Sequence, residues 1–263
     1  MQVLRTLLNY QGFILGSVKR EFELKYKSSM LGAAWSIIHP LSLVIVYTLI
    51  FSQVMGARLP GVNNPISYSI YLCSGLLTWN YFVEVLSRAQ NTFIENGALI
   101  KKLSFPKICL PVVLLISATI NFAIIFVIFI LFLVLFGYFP GVVILAILPV
   151  LMVQVLFAIG LGITLGVLNV FFRDIGQLFS VFIQFWFWAT PIVYPINVLP
   201  QWFKNVVDLN PMTAIIRAYQ DIILSGGVPD IYTLLPSLLL GLIFCFIGIL
   251  MFRKHVGEMV DEL

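Results

Sequence analysis

Groups able to do acid–base, nucleophilic or metal chemistry are scarce and scattered in this sequence. The two histidines, His39 and His255, lie far apart along the chain. The three cysteines, Cys73, Cys109 and Cys245, fall in or beside apolar runs without metal-ligand spacing, which marks them as small buried hydrophobes. No G-x-x-x-x-G-K-S/T, H-E-x-x-H or G-x-S-x-G occurs. A transferase of lipid-linked sugars would need carboxylates or histidines clustered at one membrane face. The carboxylates nearest the apolar runs, Glu84 and Asp174, each have an arginine at hand instead. Arg88 follows Glu84 by one helical turn and Arg173 adjoins Asp174, so ion pairs at helix ends explain them better than catalysis does. Proton-driven transport would need ionisable groups at mid-membrane, and the middles of the apolar runs lack them. The sequence therefore predicts no enzyme and no metal or cofactor held by this chain. Any work done on a substrate has to come from a separate energy-supplying subunit.

The elements that carry these residues are set by composition. The chain of 263 residues is 61% hydrophobic and 10% charged, with 23 Phe and a mean hydropathy of +1.06. Too few polar residues remain to clothe a globule surrounded by water. The net charge of +4 does not indicate nucleic acid, because the cations lie between apolar runs rather than in one patch. No apolar core region with a small-residue cleavage site occurs in the first 30 residues, so no cleaved leader is expected. The expectation is an all-α polytopic membrane protein forming one domain over 1–263, with an interfacial segment at 1–30 and a six-span bundle at 31–263.

Six apolar runs approach the ~20 residues that cross a bilayer core. They lie near 37–55, 67–86, 108–136, 142–170, 176–196 and 232–252. Placing both termini in the cytoplasm leaves twelve Lys and Arg inside and only Arg58, Lys204 and Arg217 outside, which fixes the expected orientation. Residues 3–22 alternate apolar and polar positions at helical spacing, with Arg5, Lys19 and Arg20 on the polar side. This pattern predicts an amphipathic helix along the cytoplasmic interface.

Four further stretches stand out. "RAQNTFIENGALIKKLSFPK", 88–107, predicts a short cytoplasmic helix exposing Leu99, Ile100 and Leu103 beside Lys101 and Lys102, suited to a partner's groove. The fourth run has Ala158, Gly162 and Gly166 at four-residue spacing, which lets another helix approach closely, within the chain or between two copies. The fifth is crowded with rings, among them Phe179, Phe182, Phe185, Trp186 and Trp188, which could anchor it in lipid or line a path for sugars. Residues 197–230 hold two short helical patterns punctuated by prolines, which predicts a re-entrant pair in the outer leaflet.

Taken together, "KYKSSMLGAAWSIIHPL" at 25–41, "NVFFRDIGQ" at 169–177, "TPIVYP" at 190–195 and "LNPMTAIIRAYQDIIL" at 209–224 make the chain resemble the membrane subunit of type-2 ABC exporters for cell-surface polysaccharides. That family includes O-antigen, capsule and teichoic-acid permeases, and the matches run in order along nearly the whole chain. The resemblance implies a homodimer in the bacterial inner membrane, bound to two copies of a cytoplasmic ATPase that holds the ATP and Mg. It further implies that a polyprenyl-linked polysaccharide, O-antigen above all, threads the dimer; permeases for teichoic acid, a drug or a lipid are the alternative. On this reading Arg20, Glu95, Asn96, Leu99, Ile100, Lys101, Lys102 and Leu103 meet the ATPase. Tyr71, Trp79, Tyr81, Phe82, Phe179, Phe182 and Trp186 line the conduit, and Trp202, Phe203 and Tyr219 close its outer end. Gly32, Trp35, Pro40, Gly162, Gly166, Arg173 and Asp174 are expected to hold the frame.

Overall fold

The computed structural model describes residues 8–27, Ile38, Ser42, Ile45, Val46, Leu49, 65–102 and 106–262. Apart from those five single positions, the expected first span lies outside the described residues, as do Gly32, Trp35, Pro40 and Leu103. Every regular element among the described residues is helical. In chain order they are α1 (Gln11–Lys27), α2 (Pro65–Glu95), α3 (Gly97–Lys102), α4 (Cys109–Leu135), α5 (Ile147–Phe171), α6 (Asp174–Trp188), α7 (Gln201–Asp208), α8 (Pro211–Ser225), α9 (Ile231–His255) and α10 (Glu258–Glu262). Short 3-10 turns cover Gly141–Ala146 and Ile196–Val198.

Among the described residues, three stretches are long and apolar enough to cross a membrane: Cys109–Leu135, Gly141–Phe171 and Ile231–His255. They coincide with the third, fourth and sixth expected spans, where uninterrupted apolar sequence leaves lipid as the only stable surrounding. Gly137, at φ +75°, ends α4 in the left-handed conformation that only glycine adopts without strain. Its neighbour Tyr138 then donates its N–H back to the Leu133 carbonyl at 2.8 Å.

The second and fifth expected spans have different limits in the structure. Helix α2 runs 31 residues, about 46 Å at 1.5 Å per residue, and so carries its helix well past the expected boundary at residue 86. Nothing between Ser87 and Glu95 breaks a helix, and the turn comes only at Asn96, before Gly97. The first eight residues of the stretch 88–107 are therefore the end of α2, and the separate short helix is α3 over Gly97–Lys102. Helix α6 stops at Trp188 after 15 residues, about 22 Å, short of the ~30 Å core. Pro191 lacks the N–H that would continue it and pushes Thr190 towards extended backbone. The Thr190 hydroxyl then donates to the Trp186 carbonyl at 2.7 Å, closing the helix.

Helix α5 is the centre of the packing, flanked by α9 and α2. Its small residues meet helices of the same chain. A Cβ on Gly162 would lie 2.5 Å from Ala89 Cβ, and one on Gly166 2.7 Å from the Ala89 carbonyl oxygen, so α2 rests directly on this stripe. On another face Gly160 lies against Gly241 and Cys245 of α9. Asn169 ties the end of α5 to α2 and α6: its amide nitrogen donates to the Gln90 carbonyl and Asn91 Oδ1 at 3.3 Å, and its oxygen accepts from Gly176 N at 3.0 Å.

Candidate functional site

At its Glu95 end, α2 meets α1 through charge. Arg88 Nη2 donates to Glu21 Oε1 at 2.6 Å, and Arg88 Nη1 lies 3.6 Å from Glu84. Ser117 of α4 donates to Glu21 at 2.9 Å, and Asn121 donates to Glu84 at 3.1 Å. The expected Glu84–Arg88 pair is present, joined by Glu21, for which the sequence has no local signal. Helix α1 adds Ile14 and Val18 as buried apolar anchors. Beside the ion pairs lies a groove of about 430 Å³ whose walls include Arg20, Glu21, Arg88, Glu95, Asn96 and Leu99. Arg20, Glu95, Asn96 and Leu99 are four of the eight partner-facing candidates, and the fold brings these four together from α1 and from the turn around Asn96. Ile100, expected on an exposed ridge, is instead buried with Phe93, Leu110 and Val167. Lys101 is exposed beside it. Lys102 ends α3, and Arg173 and Asp174 are exposed at the α5–α6 junction, where Asp174 suits the first turn of a helix.

The aromatic candidates divide into two clusters. Trp186 is the hub of the first, with ring centroids 5.3 Å from Phe82, 5.3 Å from Phe182, 6.1 Å from Trp79 and 6.2 Å from Phe157. Phe179 joins it through Phe182. Tyr81 belongs to the second, stacked on Phe122 at 4.5 Å, with Tyr219 reached through Phe126. Trp79, Tyr81, Phe82, Tyr71 and Tyr219 are buried within the copy described, while Phe182 is half exposed. Phe185 and Trp188 are more open still, at 72% and 63%, and with Leu178 and Val181 they form one bare stripe along α6. Trp202 is exposed on α7, its ring 5.4 Å from Phe203.

At its Pro65 end α2 grips the irregular segment after α6 through neutral hydrogen bonds. Tyr68 donates to the Val193 carbonyl at 2.5 Å, and the Tyr71 hydroxyl lies 3.0 Å from the carbonyls of Pro191 and Tyr194. Asn210 locks the same segment to α8. Its side-chain oxygen accepts from Met212 N at 3.0 Å as the helix cap and from Trp186 Nε1 at 2.8 Å, while its amide donates to Thr190 Oγ1 at 2.8 Å. Asn210 was not singled out as a site residue, although Asn before Pro at a helix start is a readable cap signal. Helix α8 is buried along Met212, Ile215, Ile216, Tyr219, Ile222 and Ile223.

The arrangement places a charged groove at one end of α2, a ring-lined and partly bare face beside its middle, and a hydrogen-bonded irregular segment at the other end. Such a layout can dock a soluble partner and transmit its movement along a rigid helix. The family model described as ABC-2 type transporter matches residues 14–224. Two O-antigen export system permease proteins RfbA of Klebsiella pneumoniae are 29% identical over 236 residues, 89% of this chain and 88% of theirs. A protein of the same name from Myxococcus xanthus is 24% identical over 265 residues, the full length of both chains.

Proposed function

We propose, because this chain belongs to the ABC-2 type transporter family, that it is the permease subunit of an ATP-driven exporter of lipid-linked polysaccharide, O-antigen first among the candidates. Export of O-antigen is what its relatives are named for, over nearly the whole chain. Family membership implies an ABC ATPase as partner. The observation that carries the rest is the groove at the Glu95 end of α2, where Arg20, Glu95, Asn96 and Leu99 converge next to exposed Lys101. A cytoplasmic ATPase seated there would push on α1 and α3 and, through Glu21–Arg88, on the end of α2. The charge asymmetry of the connecting segments supports a cytoplasmic location for this end and for both termini.

In the full reading the chain has six spans, α2 and the stretch from α6 to residue 196 among them, with α7 and α8 as the re-entrant pair. Two copies and two ATPases form the exporter in the inner membrane, and the ATP and Mg sit on the ATPases. The bare stripe of Leu178, Val181, Phe182, Phe185 and Trp188 supports a conduit between copies, because rings exposed on one copy can stack on sugar C–H faces while hydroxyls stay hydrated. The buried rings around Trp79 and Tyr81 would then set the wall rather than touch the polymer. Deletion of the chain should leave lipid-linked polymer in the cytoplasm and none at the surface. Unchanged surface polymer in a clean deletion would sink the export reading. Reversing charge at the groove, with Arg20→Glu and Lys101→Glu together, should leave the chain in the membrane but lower the amount of ATPase that copurifies with it.

A further inference from the structure

Two clefts meet at Arg217 of α8. The first, about 490 Å³, lies between the start of α2, residues 191–197 and α8, and presents Ser67, Tyr71, Asn197, Gln220 and Asp221. The second, about 470 Å³, lies between α8 and the start of α9 and adds Asp208, Thr213, Asp230 and Thr233. Both volumes fall in the range of roughly 300–1,000 Å³ typical of small-ligand sites.

The polar groups here have unused capacity. The Gln220 side chain, 3% exposed, reaches the Tyr71 and Pro191 carbonyls only at 3.5 Å. The Thr213 hydroxyl, buried at 2% exposure, has no hydrogen-bond partner. No described residue donates to the Asp221 carboxylate, and burial raises its pKa above the ordinary value, an effect Arg217 partly offsets. Arg217 itself donates to Asp208 at 3.2 Å. Three carboxylates therefore surround one guanidinium that is already paired. This charge balance repels phosphate and phospholipid headgroups and suits neutral hydroxyls, which donate to a carboxylate and accept from an amide, or an ammonium group, which donates to a carboxylate.

We propose that this paired cleft binds a sugar unit of the exported polymer on the outer side, and that it selects neutral or amino-bearing glycans against polyol-phosphate chains. The proposal rests on the export reading and narrows its substrate. A vicinal diol of a pyranose would donate to Asp221 while its ring oxygen and a further hydroxyl accept from Gln220 and Asn197, and the second cleft would take the next unit.

The test is equilibrium binding to the full chain in lipid nanodiscs, using radiolabelled N,N′-diacetylchitobiose, mannobiose and glycerol 3-phosphate. At least one disaccharide should bind saturably, and Asp221→Ala should weaken it about tenfold, as expected for losing a hydrogen bond to a charged group. Asp221→Asn should lose less, because the amide still accepts. Asp221 and Asn197 are exposed at the rim, so Asn197→Ala serves as a second variant that leaves the fold intact. Glycerol 3-phosphate, standing for polyol-phosphate polymers and lipid headgroups alike, should not bind the native cleft. The proposal is overturned if neither disaccharide binds, if Asp221→Ala and Asn197→Ala both bind as the native chain does, or if glycerol 3-phosphate binds more tightly. Binding needs no export, so the deletion phenotype and the cleft fail independently.

Discussion

The two ends of α2 are held in opposite ways. At the Pro65 end tyrosine hydroxyls and amides clasp backbone carbonyls of the segment after α6, and Asn210 alone joins Trp186, Thr190 and the start of α8. At the Glu95 end the contact with α1 depends on Glu21, Arg88 and Glu84, whose side chains are about one-third exposed. Neutral hydrogen bonds in a dry site are hard to exchange, because breaking one leaves a buried group unsatisfied. Half-hydrated ion pairs are worth little each and re-form easily. An element that must respond to a soluble partner is better held the second way, and an element that must keep a membrane segment bent is better held the first.

The largest expected effect strikes the contact with α5 close to the Glu95 end, at Ala89. Gly162→Leu puts a side chain where Ala89 Cβ would already be 2.5 Å from a bare Cβ, separating α2 from α5. It should cost about 3 kcal/mol or more and be seen as loss of folded, detergent-soluble chain. Normal yield would mean that the Glu95 end of α2 does not depend on its close contact with α5. Next comes Asn210→Ala, which removes a helix cap and strands the Trp186 N–H. Thermal unfolding in detergent should show a loss of about 2–4 kcal/mol that does not change with salt. The smallest effect on stability is that of Glu21→Gln, roughly 0.2–1 kcal/mol, and the gap from the native chain should close in high salt. Its effect on function should exceed its effect on stability, read as weaker stimulation of the copurified ATPase by the permease. Equal stability losses in Glu21→Gln and Asn210→Ala would remove the contrast between the ends.

Much of this was readable from residue types alone. Lipid-crossing stretches announce themselves by length and apolarity, so α4, α5 and α9 fall where the hydropathy places them. The Glu84–Arg88 pair is local, one helical turn apart, and was equally legible. Helix ends set by competing contacts were not. The apolar run through 176–196 continues past Trp188, but Pro191 and the bonds from Asn210 end the helix there, and Asn210 is over twenty residues away in sequence. Ring burial was illegible for the same reason: Trp79 and Trp186 read as equally able to face a conduit until their mutual packing with Phe82 and Phe157 is seen.

By itself, the sequence determined that the chain is built for lipid, where three of its long apolar helices lie and the family it belongs to. These depend on sums over many residues or on ordered motifs, and neither needs a partner to be known. Only the tertiary structure decided that the glycines of α5 receive helices of the same chain, that Glu21 completes the Glu84–Arg88 pair, and that Arg217 stands between two carboxylate-rimmed clefts. Each of these is a meeting of side chains distant in sequence, selected by close packing and by the need to satisfy polar groups away from water.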